Sequence, residues 1–210
     1  MPADPCRLYL TSPEGLASDV LAAMLDKVFS RCDIAAFLLR SSERDTAGMA
    51  DMAAPLLQIA RNYDVMFLIE NSAGLARQLG ADGIHLSDGL DGYDSARRQL
   101  GADAIIGIGC GGSRHQAMLA GEAGCDYVAF GARSTAVATT GTFAEDREIA
   151  RWWAELFEIP CVLMPASLDD AADPGCEFLS PPPSFWAGSD GPARTLGDLE
   201  AKLRAERQAA

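Results

Sequence analysis

Short apolar runs alternate along the chain with stretches whose apolar residues recur three or four positions apart. The runs have the length of β-strands and lie at 6–10, 34–39, 65–69, 83–86, 104–108, 126–130, 160–164 and 177–179. Spacing such as that of Leu16, Val20, Met24 and Val28 predicts amphipathic helices between them. Strands that alternate with helices favour a parallel sheet with both faces covered.

Eight strands, each followed by a helix or loop, have the rhythm of a (β/α)₈ TIM barrel. A doubly wound open sheet is the alternative. The region after Pro165 is the least regular, because residues 169–172 offer only a helical turn and the last strand runs into Pro181, Pro182 and Pro183. We therefore expect irregularity in the last two βα units. No linker or low-complexity tract divides residues 1–210, which predicts a single TIM-barrel domain.

Polar residues follow the predicted strands where each one ends. In the unit from 63 to 86, Glu70, Asn71 and Ser72 come directly after an apolar strand. Parallel α/β folds place ligand sites at the carboxyl ends of their strands. In a barrel, the following side chains would converge on that C-terminal face: Arg40, Asn71, His85, Asp88, Arg133, Ser134 and Thr135.

Charge and composition exclude several classes of partner. The formal net charge is −13, which disfavours nucleic acid and anionic membranes and means that a phosphate ligand needs a local positive site. No apolar run approaches the roughly 20 residues needed to span a bilayer, and the N-terminus does not resemble a signal peptide. Six scattered cysteines without a CxxC pair indicate reduced thiols and a cytoplasmic protein.

Five segments resemble the thiamine phosphate synthases and the thiazole tautomerases of the same superfamily. They are LYLTS, FLLRSS, FLIENSAGLARQLGADGIHLSD, ADAIIGIG and AGCDYVAFG, in the family's order and spacing. The resemblance implies a TIM barrel that joins an aminopyrimidine diphosphate to a thiazole phosphate. That reaction releases pyrophosphate and is assisted by Mg²⁺.

The resemblance also implies roles for single residues. Arg40 and Asn71 match phosphate-binding positions, and the loop that carries Arg133, Ser134 and Thr135 matches one that contacts substrate. Other family positions are replaced. Ser72 and Leu90 stand where the family has magnesium-ligating aspartates, Pro165-Ala166 replaces a glycine pair, and the family's lysines are missing. Asp88 and Asp91, beside Leu90, are the remaining metal candidates, and Mg²⁺ is expected only if the family reaction is retained.

Several of these residues have a structural alternative. His85 lies inside an apolar strand and is either a hydrogen-bonded core residue or a site residue. Cys110 is either a buried thiol or a nucleophile, and Gly111 and Gly112 form either a tight turn or an anion-binding turn at a helix start. Arg40 could pair with a nearby surface acid. The adjacent tryptophans at 152 and 153 point about 100° apart, so one could mark a homodimer contact.

The sequence is compatible with three functions. The first is a thiamine phosphate synthase-like transferase of thiamine biosynthesis whose ordinary coupling is impaired by the replaced phosphate and magnesium residues. The second is a catalytically silent barrel that binds a ligand or a partner protein. The third is an enzyme with a new substrate that lacks a diphosphate. All three expect a small-molecule ligand or a partner at the C-terminal face.

Overall fold

Eight parallel strands close into a barrel in a computed structural model that describes residues 6–13, 15–40, 46–131, 142–168, 174–188 and 190–209. The strands are β1 (Arg7–Thr11), β2 (Ile34–Leu39), β3 (Met66–Glu70), β4 (Gly83–Leu86), β5 (Ile105–Gly111), β6 (Tyr127–Gly131), β7 (Cys161–Met164) and β8 (Phe178–Leu179). Each strand pairs with its neighbours in sequence, and β1 also pairs with β8.

Helices on the outside cover most of these strands. They are α1 (Ser18–Phe29), α2 (Thr46–Asn62), α3 (Ala73–Leu79), α4 (Tyr93–Leu100), α5 (Arg114–Ala123), α6 (Phe143–Leu156) and α7 (Pro192–Ala209). A 3₁₀ helix at Pro183–Ala187 separates β8 from α7, and its Trp186 Nε1 donates to the carbonyl of Thr11 at 2.8 Å. Within the described segments, no helix is long and apolar enough to cross a bilayer.

The closed ring confirms the predicted (β/α)₈ barrel, and the alternative of an open sheet is wrong. The expected irregularity is present, because β8 has two residues and the described part of the chain holds no helix between β7 and β8. The helical turn predicted at 169–172 lies outside the described residues. One strand boundary is corrected: β5 continues to Gly111, beyond the predicted end at 108, because a register shift between Gly109 and Gly111 keeps it paired with β6.

An acidic residue stands just before each even-numbered strand and bonds to the odd-numbered strand that precedes it. Asp82 accepts from the backbone N–H of Phe67 at 2.7 Å, and Asp126 accepts from that of Ile106 at 2.8 Å. Glu177 accepts from the N–H of Cys161 at 3.0 Å. Before β2, Asp33 instead accepts from the Arg7 guanidinium at 2.8 Å. These carboxylates satisfy donors at the strand starts that the ladder leaves without a strand partner.

Residues of each strand alternate between two apolar cores. Outward side chains such as Phe37, Phe67 and Phe130 pack against the helices, while inward ones fill the barrel. The inner core is small and includes Tyr9 and Tyr127, both nearly fully buried. The aromatic rings take the place of the branched aliphatic side chains that commonly fill such barrels.

Gly107 makes room for the largest of these inner side chains. A Cβ atom at this position would lie 1.9 Å from Cζ of Tyr127. The backbone of β5 pairs Gly107 with His85 on one side and with Tyr127 on the other. The Tyr127 ring therefore lies across β5 and stacks on His85, with ring centroids 5.7 Å apart and planes inclined by 16°.

Substituting Gly107→Ala should destabilise the barrel by about 2–3 kcal/mol, because the added methyl group forces the Tyr127 ring out of its place. Gly197→Ala is the matched control, since Gly197 lies in α7 and a Cβ there meets no atom within 4 Å. It should raise the free energy of unfolding by about 0.5–1 kcal/mol through helix propensity. Urea unfolding measures both, and equal behaviour of the two variants would refute the steric role of Gly107.

Candidate functional site

A small pocket opens at the C-terminal mouth of the barrel between β4 and β7. His85 and Ser87 line it from the β4 side, and Met164 lines it from β7. Gly109, Gly111 and Gly131 form much of the remaining wall. The glycines leave the backbone close to the pocket, whose empty volume is about 190 Å³ including the part open to solvent. This is the C-terminal end at which barrel enzymes bind their ligands.

Beneath the pocket, a hydrogen-bonded chain links three strands across the barrel interior. The hydroxyls of Tyr9 and Tyr127 are 2.8 Å apart, and Tyr127 Oη lies 3.0 Å from His85 Nδ1. Burial raises the pKa of Tyr127 well above its usual value, and the neighbouring Tyr9 raises it further. Tyr127 therefore stays protonated at neutral pH and holds one face of the His85 ring. His85 is both a buried, hydrogen-bonded core histidine and part of the pocket lining.

Three residues at the ends of β3 and β4 form a second network above it. Glu70 Oε1 accepts from the Ser87 hydroxyl at 2.7 Å, and Asn71 Oδ1 accepts from the Ser87 backbone N–H at 2.9 Å. Asn71 has φ of 53°, a left-handed conformation that asparagine tolerates better than most residues. Its own N–H donates to the His85 carbonyl. The amide oxygen of Asn71 is thus occupied by a hydrogen bond from the backbone after β4.

Arg40 faces the same network from the end of β2. Its Nε lies 3.8 Å from Glu70 Oε2, and its backbone N–H donates to Ser12 Oγ at 2.9 Å. Both side chains are largely buried, with 28% of Arg40 and 13% of Glu70 exposed. The positive charge expected at this mouth is therefore offset by a carboxylate at close range.

The glycine-rich end of β5 divides between the pocket and the outer core. Gly111 lines the pocket, whereas Cys110 is fully buried among the outer-core residues and its thiol donates to the Ile108 carbonyl. Burial raises the pKa of Cys110 to about 12, so the thiol stays protonated at neutral pH. A Cβ at Gly112 would lie 3.0 Å from Asp146 Oδ1, which places a carboxylate beside this turn. Ser113 caps α5 by accepting from the Gln116 N–H.

The described residues do not form a magnesium site with three protein ligands. Mg²⁺ takes oxygen ligands in near-octahedral geometry, commonly one or two carboxylates together with waters and substrate phosphates. Asp88 and Asp91 are both exposed, and the described segments contain no group of three histidine, cysteine or acidic side chains placed to hold a metal ion. Glu70 Oε1 and Asn71 Oδ1 both accept hydrogen bonds from Ser87, and Glu70 Oε2 lies 3.8 Å from Arg40 Nε.

Other predicted site residues lie elsewhere. Arg133, Ser134 and Thr135 fall outside the described residues. Pro165 is buried after β7 and Ala166 is exposed. Ser180, directly after β8, is 1% exposed, and its hydroxyl has no hydrogen-bond partner among the described residues.

The structure adds residues that the sequence analysis did not single out for the mouth. Ser87 joins Glu70 to Asn71, and Tyr127 holds His85. Both could have been found from strand alternation, because every second residue of a barrel strand points inward. Ser87, directly after β4, is two residues from His85 and so shares its face. Gly131, Ala129 and Tyr127 share one face of β6 in the same way.

Comparisons with known proteins agree with this architecture. The family described as thiamine monophosphate synthase matches residues 8–177. A thiamine-phosphate synthase from Rhodospirillum centenum is 34% identical over 95% of this chain and 98% of its own. One from Erythrobacter litoralis is 38% identical over 89% of this chain and 91% of its own.

The chain belongs to the thiamine monophosphate synthase family. This confirms the resemblance drawn from the strand-end motifs. A thiamine phosphate pyrophosphorylase from Pyrococcus furiosus has the same fold, with a TM-score of 0.76 at 20% identity over 95% of this chain and 96% of its own. A (S)-3-O-geranylgeranylglyceryl phosphate synthase from Thermoplasma acidophilum also shares the barrel, with a TM-score of 0.69 at 14% identity over 96% and 94% of the two chains.

Replacing Tyr127 by phenylalanine should test the buried chain in this family member. The variant removes the hydroxyl between Tyr9 and His85 and should lower the free energy of unfolding at pH 7 by about 1–2 kcal/mol. The unfolded chain releases this phenolic proton near pH 10, whereas the folded protein keeps it, so the wild type loses stability as pH rises above 10. The gap between wild type and variant should therefore narrow there.

Urea unfolding at pH 7 and at pH 10.5 measures this difference. Tyr63→Phe is the control at pH 7, because the Tyr63 hydroxyl bonds to Asp26 at the surface and lies far from the barrel interior. It does not serve as a control at pH 10.5, because that hydrogen bond also raises the pKa of Tyr63. A Tyr127→Phe variant as stable as wild type at pH 7 would show that the hydroxyl contributes nothing to the fold.

Proposed function

We propose that this chain is a thiamine phosphate synthase-like protein of thiamine biosynthesis that binds a pyrimidine or thiazole ligand carrying at most one phosphate. We further propose that it does not carry out magnesium-assisted coupling with an aminopyrimidine diphosphate at the rate of its relatives. The observation that carries this proposal is the carboxylate of Glu70 inside the mouth, beside Arg40.

Charge at the mouth supports the limit on the ligand. A diphosphate brings two to three negative charges, and the chain already carries a formal net charge of −13. At about 4 Å, the interaction between two unit charges near a protein surface is on the order of 4 kcal/mol. Glu70 thus offsets most of the attraction that Arg40 would offer to a phosphate.

The mixture of apolar and polar groups that line the mouth supports a small ring as ligand. Glycine and alanine backbone line the pocket from β5 and β6, and Met164 supplies an apolar side chain from β7. His85 and the Ser87 side offer polar groups from β4. Binding pockets for small molecules commonly combine a mostly apolar lining with a few placed polar groups.

Location and assembly belong to the same proposal. All six cysteines are free thiols, which supports a reducing compartment such as the cytoplasm. A homodimer remains a prediction from sequence. Trp153 is fully buried, while Trp152 is partly buried and stacks with the Arg114 guanidinium, which lies 4.8 Å from its ring centroid.

A side-by-side coupling assay tests the proposal. The chain and the thiamine-phosphate synthase from Rhodospirillum centenum are each supplied with the aminopyrimidine diphosphate, the thiazole phosphate and Mg²⁺. We expect pyrophosphate release by this chain to be slower by about 10²-fold or more, the loss that follows removal of one oxyanion-stabilising donor. A rate within tenfold of the relative would overturn the proposal.

Calorimetry with thiamine phosphate in the absence of Mg²⁺ tests the binding half. Heat of binding at millimolar ligand supports a retained ligand site. If neither turnover nor binding is observed, the proposal is wrong and the partner-binding alternative stands in its place.

The close approach of Glu70 to Arg40 predicts the effect of Glu70→Gln. Removing this carboxylate should release the Arg40 charge toward the ligand and tighten thiamine phosphate binding on the order of tenfold. Asp33→Asn is the matched control: it removes one negative charge from the ion pair with Arg7 at the opposite end of the barrel and should leave binding unchanged. Weaker binding by Glu70→Gln would show that the carboxylate itself holds the ligand.

A further inference from the structure

Two cysteines lie side by side at the base of β7 and just before β8, away from the mouth. The register pairs Val162 with Phe178, so Cys161 and Cys176 are offset by a single residue across the two strands. Both side chains belong to the same outer core, in which Cys161 is buried and against which Cys176 packs. Cys176 also donates to the Phe178 carbonyl at 3.3 Å, and Cys161 donates to the Ala150 carbonyl at 3.5 Å.

The backbone holds this pair at the separation that a disulfide needs. Adjacent strands lie about 4.8 Å apart and rise about 3.3 Å per residue, which places the two Cα atoms about 6 Å from one another. Glu177 fixes the approach of the second segment, because its side chain accepts from the Cys161 N–H and its carbonyl accepts from the Arg7 N–H at 2.9 Å. Continuing the β7–β8 register back to these two residues thus gives a Cα separation within the range that disulfides span.

The two thiols differ in access. Cys161 is fully buried, and its contact with Cys176 together with burial raises the pKa of the Cys161 thiol. Cys176 is partly exposed. Of the two thiols, an oxidant from solvent can therefore reach only Cys176 directly, and Cys161 is a buried, protonated thiol. Such a pairing of an accessible cysteine with an adjacent second cysteine is typical of reversible thiol oxidation.

We propose that Cys161 and Cys176 form a reversible disulfide when the protein meets a hydroperoxide. The Cys176 sulfur attacks one peroxide oxygen, the O–O bond breaks, and the thiol proton leaves with the second oxygen as water. The Cys161 sulfur then attacks the sulfenic sulfur of Cys176, and the departing hydroxide takes the Cys161 proton as a second water. Two thiols are oxidised by two electrons, and one hydrogen peroxide is reduced to two waters.

The disulfide would close a loop that begins with β7. This loop contains Met164, which lines the pocket, and Pro165-Ala166 directly after the strand. In three strand pairs an acidic side chain accepts from a backbone N–H of the preceding strand. Only in the β7–β8 pair are the residue that donates this N–H and the residue just before the acid both cysteines. The β5–β6 pair has Ile106 where Cys161 stands and Cys125 where Cys176 stands.

Peroxide treatment followed by mass spectrometry tests the proposal. The purified chain is treated with hydrogen peroxide, free thiols are alkylated under denaturing conditions, and the chain is cut with Asp-N. Asp169, Asp170 and Asp173 lie between the two cysteines in sequence, so the cysteine-bearing peptides stay joined only through a disulfide. We expect the joined pair, with two alkylations fewer, and its loss after dithiothreitol.

Thermal unfolding gives a second readout. Closing a loop of about 15 residues should raise the Tm of the oxidised protein by roughly 5–10 °C, reversibly. Cys176→Ser should lose both the joined peptides and the Tm rise, whereas Cys6→Ser, which removes another partly exposed cysteine, should keep both. A disulfide between other cysteines, or Cys176 oxidised to sulfinic acid with Cys161 still alkylated, would overturn the proposal.

Discussion

Packing inside this barrel depends on a glycine, which has no side chain, at position 107 of β5. Gly107 leaves a gap in β5 that the Tyr127 ring fills, and the ring in turn stacks on His85 and bonds to Tyr9. Strands β1, β4 and β6 are not neighbours in the ring, so this chain of contacts ties together parts of the sheet that the backbone ladder does not connect directly. Because protein interiors are closely packed, the gap and the ring have to match in volume.

The same contact sets the floor of the pocket. His85 lines the mouth from above and is held by Tyr127 from below. A ligand at the C-terminal face would therefore rest on a ring whose orientation is fixed by a buried phenol. Above that floor, Ser87 joins Glu70 and Asn71, and Glu70 faces Arg40. The core residue Tyr127 thus fixes the position of His85, and the charged residues Arg40 and Glu70 at the strand ends set the electrostatic potential of the mouth.

Periodicity was sufficient to predict the ring of eight strands, because apolar spacing reports directly on which faces are buried. The family followed from motifs such as the Asn71 strand end and the His85 strand. The charge balance at the mouth was not accessible in the same way. Arg40, Glu70 and Ser87 lie at the ends of three different strands, and only the register brings them together. The contact between the Tyr127 ring and Gly107 could not be predicted from the sequence around Tyr127, because the two residues lie on different strands.

The acidic residues before the even-numbered strands divide the barrel into four units of two strands. Asp33, Asp82, Asp126 and Glu177 each join an odd-numbered strand to the one that follows it. A chain opened before β3, β5 or β7 would keep every one of these links within a continuous stretch of sequence, whereas a chain opened inside a unit would separate the two ends of a link. Permuted or duplicated versions of this barrel are accordingly best built from whole strand pairs.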